Sequence, residues 1–162
     1  HAEVARACWE AGAAIVNDVS GFRDPVMVDA VRDSDCGLVV MHMQGDPSTM
    51  QNAPSYDDVV GDVREWLRDR AAALEAAGVA HDRICIDPGP GFGKTPSQTL
   101  ELVRNFQEFV RLGYPVMVAV YSTALPSHKM TVSPCFARIT RARWWASEPR
   151  STAAPSAISV VK

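Results

Sequence analysis

Short apolar runs at residues 13–16, 36–41, 83–87 and 115–120 alternate with amphipathic stretches of helical period, and that alternation limits the fold more than any other feature. A strand that is apolar along its whole length is buried on both faces. Strands of this kind, separated by helices, build a parallel sheet that is covered on both sides or closed as a barrel. The first helical stretch is 1–12, where Val4, Ala5, Cys8 and Trp9 stand among Glu3, Arg6 and Glu10 and Gly12 gives a stop. The second runs over 25–31 and opens on Pro25. The third, 56–77, passes through Val59, Val63, Trp66, Leu67, Ala71 and Leu74 to Gly78. The fourth, 97–112, passes through Leu100, Val103, Phe106, Phe109 and Val110 to Gly113. Residues 46–55, broken by Pro47 and Pro54, read as a loop.

Each of the first three strands ends in polar groups, and α/β folds place their sites at those carboxyl ends. The first end is Asn17-Asp18-Val19-Ser20-Gly21, and the second holds His42, Gln44 and Gly45. The third is Asp87-Pro88-Gly89-Pro90-Gly91-Phe92-Gly93-Lys94. Pro88 holds Asp87 away from helical angles, so the carboxylate is aimed. The glycines let the backbone turn tightly and approach a ligand closely, which leaves Phe92 as the one large side chain free to cover an aromatic group. Taken alone, an Asp-Pro-Gly is more often a turn with an acidic cap. Asn17 alone reads equally well as a turn-forming residue, and Met41 alone as strand core.

The chain has 162 residues, enough for one ordinary domain. A net charge of −3, with 22% charged and 47% hydrophobic residues, gives no reason to expect nucleic acid or an anionic membrane as partner. No apolar run approaches the roughly 20 residues that cross a bilayer, and the start carries no signal core, so the expected location is cytoplasmic. Cys8, Cys36, Cys85 and Cys135 are far apart and without zinc-ligand spacing, which fits reduced, packed thiols. His42 has no metal partner at a usable spacing and is expected to be a hydrogen-bonded structural histidine. For Lys94 two tasks stay open: facing an anion at the mouth of the site, or capping the helix that follows.

Three motifs at successive strand ends carry a family resemblance. They are Asn17 to Gly21, Met41-His42-Met43-Gln44-Gly45 with Pro47, Thr49, Met50 and Gln51, and Asp87 to Lys94. Together they resemble dihydropteroate synthase, the folate-pathway enzyme that joins 6-hydroxymethyl-7,8-dihydropterin pyrophosphate to p-aminobenzoate, giving dihydropteroate and pyrophosphate. The resemblance takes in the first helix and continues to Val120. It implies an α/β fold, an incomplete TIM-type (β/α)8 barrel running from the third helix to the seventh strand. Asn17 and Asp87 match the family's pterin-binding pair, Met41 a residue packed on the pterin face, and Gly91 and Phe92 loop positions near the ring and the p-aminobenzoate side. The chemistry is consistent with those roles: a pterin edge presents donors beside acceptors, which an ionised carboxylate and an amide complement. The family's mechanism is dissociative. Pyrophosphate leaves the pterin methylene, the amine attacks the resulting cation, and Mg²⁺ with basic residues stabilises the leaving group. Family members are commonly homodimers.

The resemblance stops inside a motif. After Val120 the family continues Ser-Arg-Lys, whereas this chain reads Tyr121-Ser122-Thr123. Residues 121–162 hold none of the ten glycines and a single acid, Glu148, beside six Lys or Arg, four prolines and the Trp144-Trp145 pair. Such a change points to a frameshifted or disordered tail, with at most a weak helix over 139–146. The Asn of the family's first strand, the Asp of its third, and the Arg and His of its eighth have no counterpart here. The expectation is therefore a piece with unpaired sheet edges before Asn17 and after Phe109, unstable or associating by itself, and without catalysis even where its pterin half-site forms. Two other readings stand beside it: a non-catalytic remnant whose basic tail and Trp pair contact a partner, and another folate barrel such as a methyltetrahydrofolate methyltransferase. Met41 to Gly45 and Gly91 to Lys94 argue against the latter.

Overall fold

The computed structural model describes residues 1–119 and the backbone of 157–160. The elements run α1 (Ala2–Glu10), β1 (Ile15–Asp18), α2 (Pro25–Arg32), β2 (Gly37–Met41), α3 (Val59–Ala76), a 3-10 turn (His81–Arg83), β3 (Ile84–Asp87), α4 (Pro96–Arg104), α5 (Phe106–Val110) and β4 (Ala157–Val160). All strands lie parallel in one sheet of order β3-β2-β1-β4. The class is α/β as expected, and the described strands form an open sheet.

Helix starts follow local chemistry. Asp24 caps α2 through Val26 N, with Pro25 at the first helical position. Asp58 caps α3 through Val60 N and Gly61 N. Thr95 and Gln98 form a reciprocal capping box at α4. In β1 to β3 the register sorts side chains onto two faces, because successive residues of a strand point to opposite sides. Val16, Leu38, Val40, Ile84 and Ile86 share one face and pack with Val31, Val63, Leu67 and Leu74 of α2 and α3 in the main core. Each such buried aliphatic side chain contributes roughly 1.5–3 kcal/mol. The opposite face carries Asn17, Val39, Met41, Cys85 and Asp87.

Three expectations need correction. The helix over 97–112 is two helices: Asn105 leaves helical geometry, and its Nδ2 donates to Glu101 O at 3.0 Å, satisfying an end carbonyl of α4. The strand over 115–120 is a single bridge, in which Ile86 N donates to Pro115 O and Met117 N to Ile86 O, both at 2.9 Å. Val120 itself lies outside the described residues. The edge of β1 is paired, not bare: β4, from the tail, runs beside it from Ile15↔Ala157 to Asp18↔Val160. The Ser-Arg-Lys departure point, residues 139–146 and Cys135 fall outside the described residues. Cys8, Cys36 and Cys85 form no disulfide, and the last two are buried. Among the described residues no helix is long and apolar enough to cross a membrane.

Candidate functional site

The strand ends meet on the face that the helices leave uncovered. Asp87 on β3 is level with Met41 on β2, while Asn17 on β1 is level with Val39 and Cys85, one layer deeper. Neighbouring strands lie about 4.8 Å apart and a two-residue step along a strand adds about 6.6 Å, so the Asn17 and Asp87 backbones stand about 12 Å apart, with β2 between them. A flat two-ring ligand lying over Val39 and Met41 can bridge that distance. The Oδ1 of Asn17 is buried and has no hydrogen-bond partner among the described residues. Native proteins leave few such acceptors unsatisfied, and one on an otherwise apolar strand face calls for a donor from a ligand.

Asp87 is 1% exposed, and its Oδ1 accepts from Gly89 N at 2.8 Å. Burial pushes its pKa up to about 7, against the Gly89 hydrogen bond and the Lys94 charge, which both pull it down. In the free site it is therefore a mixture of acid and carboxylate near neutral pH. Two ligand donors select the carboxylate, the form expected for binding. The loop geometry that makes this possible requires glycine. Gly89 sits at φ +63°, and a Cβ there would lie 2.1 Å from the carbonyl oxygen of His42.

Met41 is buried with Val19 and Met43, and Met50 and Phe92 pack against the three. Phe92 is therefore half-buried on this group and not the free cover expected. Gly91 is exposed. Its N–H donates to Thr99 Oγ1 at 3.1 Å, and its carbonyl accepts from Gln51 Nε2 at 2.6 Å. Tyr56 OH donates to Gly93 O at 2.9 Å, so the loop after β2 is strapped to the loop after β3 at two places. Gln44 braces that strap by pairing both ways with the Ser55 backbone. Gln51 lies in the motif quoted from the sequence, yet nothing local named its partner.

His42 is buried and hydrogen-bonded to Lys94. Its ring stands edge-on to Trp66 at 5.0 Å, and burial, then the charges of Lys94 and Arg23, lower its pKa to about 3. Lys94 takes neither of its expected tasks. It is buried, its Nζ lies 3.0 Å from His42 Nδ1, and Thr95 with Gln98 performs the capping. Asp18 faces away from Asn17 and is occupied by its own loop: its carboxylate accepts from Ser20 N at 3.0 Å, Ser20 Oγ at 2.6 Å and Phe22 N at 2.8 Å. Arg70 holds the same turn through the Gly21 and Phe22 carbonyls. Among the described residues no three His, Cys, Asp or Glu side chains gather as a metal-ligand set.

The fold is α/β, with an amide and a carboxylate at the strand ends of one sheet face. The model of the pterin binding enzyme family matches residues 1–149, and the chain belongs to that family. It is 35% identical over 132 residues to dihydropteroate synthase of Escherichia coli K12, covering 82% of this chain and 47% of the relative. To the enzyme of Neisseria meningitidis serogroup C it is 44% identical over 111 residues, covering 67% and 39%. Among solved structures it is similar to Xanthomonas albilineans dihydropteroate synthase in complex with 7,8-dihydropteroate, at 41% identity, TM-score 0.66, and 73% and 43% of the two chains. It is likewise similar to the Thermus thermophilus enzyme with 4-aminobenzoate, at 41% identity, TM-score 0.69, and 73% and 46% coverage. The chain spans about half the length of the relatives it matches.

Proposed function

We propose that this chain is the pterin-binding part of a dihydropteroate synthase and that its sheet is an arc of a TIM-type barrel. In this reading the face carrying Asn17, Met41 and Asp87 lines the inside of the barrel and the helices form the outer ring. The observation that carries it is the pairing, on one face, of a buried carboxylate with an unpartnered buried amide oxygen. Asp87 accepts from two donors on one edge of the pterin, and Asn17 reads the other flank. Met41 supplies a soft, polarisable floor, and Phe92 with Gly91 borders the side where the second substrate enters.

The reaction breaks the bond from the pterin methylene to the pyrophosphate oxygen and forms one to the amine of p-aminobenzoate. In the interval the methylene carries positive charge delocalised into the ring. A dry site with an anionic group at the ring edge stabilises that charge, and this is the contribution the described residues make. The groups that receive the pyrophosphate are not among them.

Calorimetric titration of 6-hydroxymethylpterin into the protein and into Asp87→Ala tests the reading. Binding that drops at least about a hundredfold in the variant supports it, since a charge-assisted pair of hydrogen bonds is worth about 3 kcal/mol or more. Equal binding by both, or none by either, would remove it.

A further inference from the structure

The glycine loop carries a buried cation that the pterin reading leaves without a task. Lys94 is 3% exposed, and its Nζ folds back under the loop. It donates to the carbonyl oxygens of Phe92 at 2.8 Å, Gly89 at 3.0 Å and His42 at 3.3 Å, and it faces His42 Nδ1 at 3.0 Å. Acceptors alone surround it, an arrangement that suits an ammonium and gives the lone pair of a neutral amine nowhere to go. His42 is held neutral, and against an ammonium its Nδ1 is the accepting nitrogen, which assigns the ring hydrogen to Nε2. An ammonium has three hydrogens, and these acceptors use all of them, so none remains for a ligand.

We propose that Lys94 is a positioning residue for the pterin-binding carboxylate: it fastens the 87–94 loop to the end of β2 and keeps Asp87 aimed and charged, without itself touching the ligand. This rests on the pterin reading of Asp87. The mechanical link runs through Gly89, whose carbonyl Lys94 holds and whose N–H aims Asp87 Oδ1. The electrical link is direct. Lys94 lowers the pKa of Asp87 through space, while burial lowers the pKa of Lys94 to about 7 and the Asp87 charge pulls it back up. No carboxylate makes ion-pair contact with Nζ among the described residues, so the attraction acts at a distance, as a field and not as a closed salt bridge. Among the described residues, Lys94 is the cation whose charge acts on Asp87. His42 at the end of β2 is neutral, Asn17 and Met41 are uncharged, Cys85 lies one layer below on the same strand, and Arg23 acts on His42.

The test is the pH profile of 6-hydroxymethylpterin affinity for the protein and for Lys94→Met, from pH 5.5 to 9. Loss of an opposite charge at this range raises a carboxyl pKa by about one unit or more. The midpoint of the variant's profile should therefore move up by about that much, with affinity about fivefold weaker at pH 7 and recovering toward pH 9. A profile lowered equally at every pH, with its midpoint unmoved, would make Lys94 merely structural and overturn the proposal. So would an unchanged profile. Should Lys94→Met fail to fold, the unsubstituted ligand-free protein decides the matter by NMR, with ¹³C-labelled Asp and ¹⁵N-labelled Lys. The Asp87 carboxyl carbon is expected to titrate near neutral pH with the Lys94 nitrogen responding to that same step. A Lys94 nitrogen that ignores it and titrates like a free lysine, near about 10.4, would overturn the proposal. Failure of the pterin reading looks different: no pterin bound at any pH, while the NMR coupling still reports on Lys94.

Discussion

Replacing Gly89 by alanine, with Gly91→Ala as its partner, separates two costs that a glycine-rich loop usually mixes. Both residues have positive φ, +63° and +83°, so each substitution carries a left-handed penalty of about 1–2 kcal/mol. At Gly91 that is the whole cost, because an added Cβ meets nothing within 4 Å. At Gly89 the Cβ would lie 2.1 Å from His42 O, a backbone atom that cannot swing aside. The loop must move, and the Gly89 N–Asp87 Oδ1 bond at 2.8 Å and the Lys94 Nζ–Gly89 O bond at 3.0 Å go with it. Buried bonds to charged groups are worth about 1.5–3 kcal/mol each, so Gly89→Ala should cost about 4–8 kcal/mol against about 1–2 for Gly91→Ala. Urea unfolding gives both numbers from midpoints at a common slope. Equal losses, or a larger one at Gly91, would refute the claim that the loop is built around the approach of Gly89 to His42.

Other consequences are simpler to read. Asn17→Ala removes an acceptor with no partner among the described residues, so thermal melting should show a change within about 1 kcal/mol while pterin affinity drops at least about tenfold. The folded-state pKa of Asp87 is raised from 3.8 to about 7, so the ligand-free fold binds an extra proton across that window and Asp87's contribution to stability declines as pH rises through it. Urea midpoints of the protein minus those of Asp87→Asn, followed from pH 4 to 8, should fall accordingly. Pterin affinity should run the other way, rising about tenfold per pH unit up to about pH 7 and then levelling. Arg83 donates to Val31 O at 2.8 Å, Arg32 O at 2.6 Å, Cys36 O at 2.9 Å and Ser34 Oγ at 3.1 Å, closing the end of α2. Arg83→Met should lose about 3 kcal/mol by urea unfolding with pterin contacts untouched.

The parts legible in the sequence are those fixed by local pattern. The apolar runs ending at Asn17, Met41 and Asp87 became parallel strands because a fully apolar run has no solvent face to offer, and the two-residue alternation then put those three side chains on one side. What stayed hidden depends on partners far along the chain. Nothing around Lys94 says that its nearest neighbour will be His42, 52 residues earlier, or that Arg83 will close a helix ending at Arg32. The pairing of Ala157–Val160 with β1 escaped notice for the same reason: a short run between prolines and a terminus carries no sign of the edge it joins. Asn105 sits inside an unbroken apolar period, and only its own side chain, bonding back to Glu101 O, interrupts the helix. Gln51 and Tyr56 were visible as polar loop residues, but their carbonyl acceptors on the glycine loop are a tertiary fact.

The central claim is that Asp87 and Asn17 hold opposite flanks of one flat ring. A crystal structure of the protein soaked with 6-hydroxymethylpterin tests it most directly. The account requires the ring to lie over Val39 and Met41, with the Asp87 carboxylate accepting from two ring-edge donors and Asn17 Oδ1 accepting from the other flank. A ring bound elsewhere, or one held by Asp87 while Asn17 Oδ1 stays unpaired, would contradict it.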